Sequence, residues 1–284
     1  MRSQHNHIQE LLGPLLMWGV AAMVTLPFLW ITGDLIVHGV SHLSFEFLLS
    51  PPHDAGRQGG IRPILVSTFL IIGVCITVAM PIGVGTALYL SEYTRNDKVL
   101  GRLIRSSLDI LAGVPSSVFG LFGNVLFCQV LGLGFSILSG GLTLACMMLP
   151  IMIRTIEEGF RSLVQDQRLS AAALGLSKYT TIRVVLLPAA IPSIVVAGIL
   201  GLGRALAETA ALVFTSGYVD RMPESLLDSG RSLSVHIYDL SMNVAGGNAH
   251  AYATALVLLS VLLSMNVLAS RMVTRWTLHI HTLA

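Results

Sequence analysis

The sequence predicts an all-α membrane protein with six transmembrane helices, and three observations carry that reading. Of the 284 residues, 54% are hydrophobic and only 11% are charged, against about 25% charged in soluble domains. Apolar runs of about 18 residues or more recur, the length that crosses a ~30 Å hydrocarbon core as helix. The lysines and arginines also fall unevenly between alternate connecting segments, as they do when one side of a membrane retains positive charge. The net charge of +2 says nothing about partners, and no nucleic acid is expected among them.

The spans are expected at about 11–32, 63–90, 108–130, 135–153, 189–214 and 251–270. Arg2 precedes the first, but the run from Leu11 to Ile31 is long for a signal-peptide core and lacks an A-x-A site, so it reads as an uncleaved span. Pro81, Gly83 and Gly85 lie in the second span, where such residues kink a helix or admit a close neighbour, with a gating hinge as the less favoured role. In the third, Ser116 and Ser117 follow Pro115; they line a pathway or satisfy backbone groups that the proline frees. Cys75, Cys128 and Cys146 sit inside apolar runs without metal spacing and read as packing residues. His38 and His42 have the i, i+4 spacing of metal ligands, but no third ligand accompanies them and no metal site is expected.

With both termini on the cytoplasmic side, twelve of the 17 basic residues are cytoplasmic, four are outside and one, Arg204, is in the membrane. The long outer segments are about 33–62 and 216–250. The second contains SVHIYDLS, whose alternation suits a short helix on the membrane surface. The longest cytoplasmic segment, about 154–187, is helix-compatible and broken by Gly159 and Gly175.

A bend at Leu187-Pro188 then leads into an apolar segment that carries Arg204 and Glu208. A charge inside a spanning helix costs roughly 3 kcal/mol on insertion scales, so it marks a functional site by default. Four residues apart, the two charges share one helix face. That pair points to movement of something across the membrane. No phosphate loop, HExxH, GxSxG or CxxC occurs, and nothing strand-like precedes GLGRAL at Gly201. Energy for active transport would therefore arrive from another subunit through a cytoplasmic contact.

AAALGLSKYTTIRVVLLPAAIP resembles the cytoplasmic loop of ABC importer permeases, with Gly175 as the loop glycine and Leu187-Pro188 as its close. MPIGVGTALYLSEY (80–93) and GVPSSVFGLFG (113–123) are similar to helix signatures of phosphate permeases. GRALAETAALVFTSG (203–217) resembles their A-type (PstA) subunits. The chain is thus identified as similar to phosphate ABC transporter permeases of the MetI-like, binding-protein-dependent family over roughly residues 60–275. It departs from the family pattern at Leu169, where a glutamate is usual, and at Ser170; Glu157, Glu158 and Asp166 are the carboxylates near enough to substitute.

The resemblance implies an N-terminal helix and outer loop (1–62), an importer core (63–275) and a short tail (276–284). It implies a homologous permease, an ATPase dimer and an extracytoplasmic phosphate-binding protein as partners, in a bacterial inner membrane. This chain would be no enzyme and bind no cofactor, with ATP and Mg on the partner ATPase. A coupling helix at about 168–179 would seat in that ATPase, presenting the small residues Ala171, Ala172 and Gly175, with Lys178 and Arg183 facing ATPase carboxylates or lipid headgroups. Arg204 would offer an oxyanion its planar fork of donors. Glu208 would accept the proton of hydrogen phosphate and repel fully ionised anions, with Thr209 and Thr215 as further donors. The plainer alternative is an ion pair between helices without substrate contact. Other oxyanions (phosphonate, phosphite, molybdate), a passive anion channel, an intramembrane enzyme and a regulatory subunit that senses phosphate are the competing functions.

Overall fold

A computed structural model describes residues 2–94, 99–163 and 165–283, with side chains described for 14, 16–94, 99–163 and 169–274. Arg2, Arg95, Lys98, Asp166, Arg168 and Arg275 therefore lie outside the described side chains. Helix α1 (Arg2–Val40) is followed by a single turn, α2 (Phe45–Leu49), and a hairpin of β1 (Pro52–His53) and β2 (Gln58–Gly59) paired antiparallel. Helix α3 (Arg62–Leu88) runs into a π-helical turn, Tyr89–Tyr93. Then come α4 (Val99–Ala112), α5 (Ser116–Gly123) and α6 (Ile137–Ser162). Two short helices, α7 (Gln165–Ala173) and α8 (Lys178–Thr181), lead to α9 (Leu187–Leu206). The chain closes with α10 (Ala210–Thr215), α11 (Leu233–Met242) and α12 (Asn248–Leu283).

Among the described residues, five helices are long and apolar enough to cross a membrane, and a sixth span is formed if α4 and α5 count as one. Each boundary that differs from expectation has a local cause. The first span continues to Val40 through Gly33 and Gly39, since no proline follows Pro27 in it. The third is no straight helix from 108: α4 starts at Val99 and turns by 104° into α5. Pro115 lacks an N–H and excludes its predecessor from helical geometry. The fourth runs unbroken through Gly159 to Ser162, because a Cβ there would stand 2.2 Å from Ser193 of α9; this glycine admits a neighbour and does not end the helix. Likewise α3 passes through Pro81 as one helix, with Gly83 facing Met152. The fifth span starts at Lys178, and Leu187-Pro188 lies within it. Upstream of that proline the helix widens into π geometry, and Leu187 N–H donates to Ile182 O.

Helix α6 is central. Its Met148 and Met152 pack with Ile71, Cys75 and Ala79 of α3, and Ile153, Ile156 and Phe160 pack with Ala190 and Ala197 of α9. Lipid tails are as apolar as these side chains, so close packing carries the association. Gly141 brings α6 against Val74, and Gly201 brings α9 against Met148. Helix α1 packs on α12, where Tyr252 Oη donates to Asp34 at 3.0 Å.

The two ends of the bundle differ. At one end, residues 216–231 fold over the start of α6: Ile137 and Leu138 N–H donate to Asp228 and Leu226 carbonyls, and Ser136 Oγ accepts from Ser139. These contacts satisfy donors that a helix start leaves open. SVHIYDLS does form a helix, α11, but not one lying free on a surface. Leu233, Val235, His236 and Leu240 are buried, with α11 packed on α3 and α12. The other end carries the arginines of α4 and α6 together with α7 and α8.

Candidate functional site

The expected charge pair does not survive folding as a pair. Helix α9 ends at Leu206, and Ala207–Thr209 separates it from α10. Glu208 therefore lies in the break and shares no helix face with Arg204. Its Oε1 accepts from Ala211 N–H at 3.2 Å, capping the first turn of α10, and its carbonyl accepts from Ser234 Oγ of α11 at 2.6 Å. No ion pair joins it to Arg204 among the described residues.

Arg204 stands in the last turn of α9, where the helix dipole favours a cation. It is exposed and makes no hydrogen bond or ion pair with any described residue. Val196 and Leu200, two turns and one turn earlier on the same face, are 41% and 48% exposed. This face of α9 is thus uncovered in the single chain, with one guanidinium at its end.

Thr209 is half-buried beside the break. Thr215 is fully buried and donates to Ala211 O at 2.7 Å, back-bonded to its own helix. That removes it from the pathway reading. Gly120 of α5 lies against the Ala211 backbone, and Asn124 Nδ2 donates to Phe214 O at 2.7 Å. Helices α5 and α10 therefore run parallel. Ser116 and Ser117, one turn before Gly120, stand level with the break that holds Glu208 and Thr209. Ser116 is half-buried and Ser117 exposed. Folding thus sets Ser116 and Ser117 beside the break that holds Glu208 and Thr209, while Arg204 stands one turn earlier on α9 with no hydrogen bond or ion pair to Glu208 among the described residues. An apolar cavity of about 460 Å³ under the α4–α5 bend, lined by Leu108, Phe119, Cys146 and Pro150, offers an anion no donor.

The expected coupling helix at 168–179 is two pieces. Helix α7 stops at Ala173, with Gly175 at φ +71° and Leu176 N–H returning to Ala171 O. This is a left-handed C-terminal cap that glycine adopts without steric cost. Ser177 then caps α8, accepting from Thr180 N–H. Ala172 and Gly175 are exposed and Ala171 is buried. The exposed apolar tip is Leu174, at 78%, with Leu169 at 62%. Leu187 packs against the core beneath, so it and Pro188 belong to the span and stand apart from that tip. Glu157 cannot replace the missing acidic contact at 169: it is buried and holds Arg105 and Arg161, each at 2.9 Å. Glu158 is exposed, while Asp166 lies outside the described side chains.

One network escaped the sequence reading. Arg231, 8% exposed, reaches Asp239 Oδ2 at 3.0 Å, His236 Nδ1 at 3.2 Å and Tyr218 O at 2.8 Å. Burial, and next the Arg231 charge, push the His236 imidazole from 6.5 down to about 3, so it is neutral at pH 7. Only the i, i+8 spacing of Arg231 and Asp239 hinted at this, and that is no motif.

A bundle of five spans, or six with the bent α4–α5 pair, in which an exposed Arg204 without a partner among the described residues stands beside a broken helix and an exposed apolar tip lies at the other end, suits the permease class of membrane protein. The comparisons then place the chain within that class. Residues 79–277 match the model of the binding-protein-dependent transport system inner membrane component. A probable ABC transporter permease, YqgI of Bacillus subtilis, is 33% identical over 269 residues, covering 90% of each chain. Phosphate transport system permease protein PstA 1 of Mycobacterium tuberculosis is 33% identical over 75% of this chain and 70% of its own. A PstA homolog of Mycoplasma pneumoniae is 32% identical over 84% of this chain, which spans 37% of that longer relative. Among solved structures, a bacterial alginate ABC transporter in complex with its periplasmic protein aligns with a TM-score of 0.64 at 16% identity, over 91% of this chain and 94% of the other. An inward-facing methionine ABC transporter aligns at 0.56 and 20% identity, over 76% and 94%. The chain belongs to the family of binding-protein-dependent transport system inner membrane components, the MetI-like permeases, and is a permease subunit of an ABC importer.

Proposed function

We propose that the cargo is inorganic phosphate. The chain forms the pathway with a homologous permease in a bacterial inner membrane, with both termini cytoplasmic. An external binding protein delivers phosphate, and an ATPase pair seats against the Ala172–Gly175 tip. This chain is then no enzyme, because ATP and Mg are held by that partner. The observation that carries the reading is Arg204: an exposed guanidinium with no partner among the described side chains, at the end of an otherwise apolar helix face. Such a group tolerates a membrane only when it faces a polar cavity or a partner, and its fork of donors matches phosphate oxygens. Relatives named as phosphate permeases support the choice of anion.

In this reading Arg204 attracts the anion. Ser116, Ser117 and Thr209 are hydroxyl donors near the break, and Glu208 holds the break in shape while its second oxygen is available to a protonated phosphate. Vesicles carrying the whole complex should accumulate labelled phosphate on ATP, with molybdate and methylphosphonate failing to compete. Arg204→Gln should assemble with its ATPase yet lose uptake at least tenfold, the loss of about 1.4 kcal/mol or more expected when a charged hydrogen-bond donor to the anion goes. Competition by molybdate or methylphosphonate would assign another oxyanion, flux without ATP would make the chain a channel, and normal uptake by Arg204→Gln would remove Arg204 from the site.

A further inference from the structure

The C-terminal end of α3, at the arginine-rich end of the bundle, is held by two cations of different standing. Its closing π-helical turn, Tyr89–Tyr93, leaves backbone carbonyls without helical donors. Arg105 of α4 takes one: its Nη2 donates to Leu90 O at 3.1 Å, while its Nε donates to Glu157 at 2.9 Å. Lys178, the first residue of α8, takes another: its Nζ donates to Glu92 O at 2.6 Å. The same ammonium stands 4.0 Å from the centroid of the Tyr93 ring, which stacks on Tyr89 at 6.3 Å. The Arg105 contact rests on a buried carboxylate, whereas Lys178 is exposed. Exposed cation–π contacts contribute about 0.5–1 kcal/mol, enough to select a position and small enough to be remade.

Lys178 was expected to face ATPase carboxylates or lipid headgroups. Both roles need the ammonium turned outward, and it is instead turned onto the end of α3. Covalently, α8 leads only into α9 through the π-helical residues Ile182–Leu186. Without Lys178, movement of the Leu174 tip would reach α9 and be taken up at the Gly175 turn. We propose that Lys178 is a positioning residue that clamps the coupling segment to the end of α3, so that one displacement drives both the 62–93 span and α9. This rests on the reading that the tip seats an ATPase.

The test uses the assembled complex of permeases, ATPase and binding protein, with spin labels on the exposed Tyr179 and Ile82. Their separation is measured without nucleotide and after trapping with ATP and vanadate. With Lys178 present the distance should hold through trapping, because the two elements move together. In Lys178→Met it should shift by about 2 Å or more, the size of helix displacements at such interfaces, or broaden, and Lys178→Arg should restore it. Lys178→Met should keep its ATPase bound and its basal ATP hydrolysis, while Leu174→Asp should release the ATPase. Unchanged distances in Lys178→Met overturn the clamp alone. Loss of ATPase from Lys178→Met makes Lys178 a docking residue and overturns it also. Retention of ATPase by Leu174→Asp overturns the docking reading, and the clamp with it.

Discussion

The two ends of the bundle are fastened by different chemistry. At the loop-bearing end the ties are buried and short-ranged: Ser136 caps α6, Thr68 Oγ1 accepts from Leu233 N–H at 2.9 Å, and Arg231 is enclosed with Asp239 and a neutral His236. At the arginine-rich end, one buried carboxylate, Glu157, anchors Arg105 and Arg161, while Arg154–Asp109 and Lys178 meet their partners in exposed positions. A buried, fully paired network has one arrangement, and its parts are costly to separate. Exposed ion pairs contribute about 0–1 kcal/mol and exchange readily with water. The loop end is built to stay as it is, and the other end to hold one rigid joint among adjustable ones. In the proposed reading, in which an ATPase pushes on the arginine-rich end, that asymmetry lets the pushed end adjust while the loop end keeps its shape.

The comparison breaks first at Glu157. Glu157→Ala leaves Arg105 uncompensated and only 21% exposed, so the purified complex should lose about 3 kcal/mol of stability. Asp109→Ala should cost under about 1 kcal/mol; thermal unfolding of the two variants side by side checks the contrast. Equal losses would mean that the rigid joint has been misplaced.

The loop end is sharpened by pH. His236 is depressed from 6.5 to about 3, so the unfolded chain binds the proton more readily. Its contribution is complete above pH 6.5 and declines as pH falls toward 3. At pH 5 the loss should be about 2 kcal/mol, from roughly 1.4 kcal/mol per pH unit below 6.5. The protection factors of the α11 amides, taken relative to the intrinsic exchange rate at each pH, should fall on acidification, and His236→Gln should flatten that dependence.

The smallest effect is expected at Ser234. Ser234→Ala removes the hydroxyl that meets Glu208 O, worth about 1 kcal/mol. It should loosen the break between α9 and α10, read as faster exchange of the Ala211 amide, without altering the arginine-rich end.

Much of this was legible in the residues. Gly175 was expected to break the cytoplasmic segment, and α7 does end there with a left-handed turn, whereas the bend at Pro115 and the caps at Ser136 and Ser177 emerged only from the structure. Arg204 stood out because a cation in an apolar run has few innocent explanations. The break at Ala207–Thr209 was not legible. Alanine and glutamate are good helix formers, and the interruption is tied by a hydroxyl 26 residues further on. The role of Glu157 was hidden for the same reason: Arg161 is one turn away, but Arg105 comes from 52 residues earlier. Gly159 was misread because a glycine at a helix crossing and one that ends a helix look alike until the neighbour is known.

By itself, the sequence determined which segments are apolar enough to span a membrane and that Arg204 lies within one of them, because hydrophobic transfer acts over a few neighbouring residues. Only the tertiary structure decided that Glu208 leaves the face of Arg204, that Glu157 faces inward and that Lys178 turns onto α3. Each of those depends on a hydrogen-bond partner or a carbonyl supplied from a distant part of the chain.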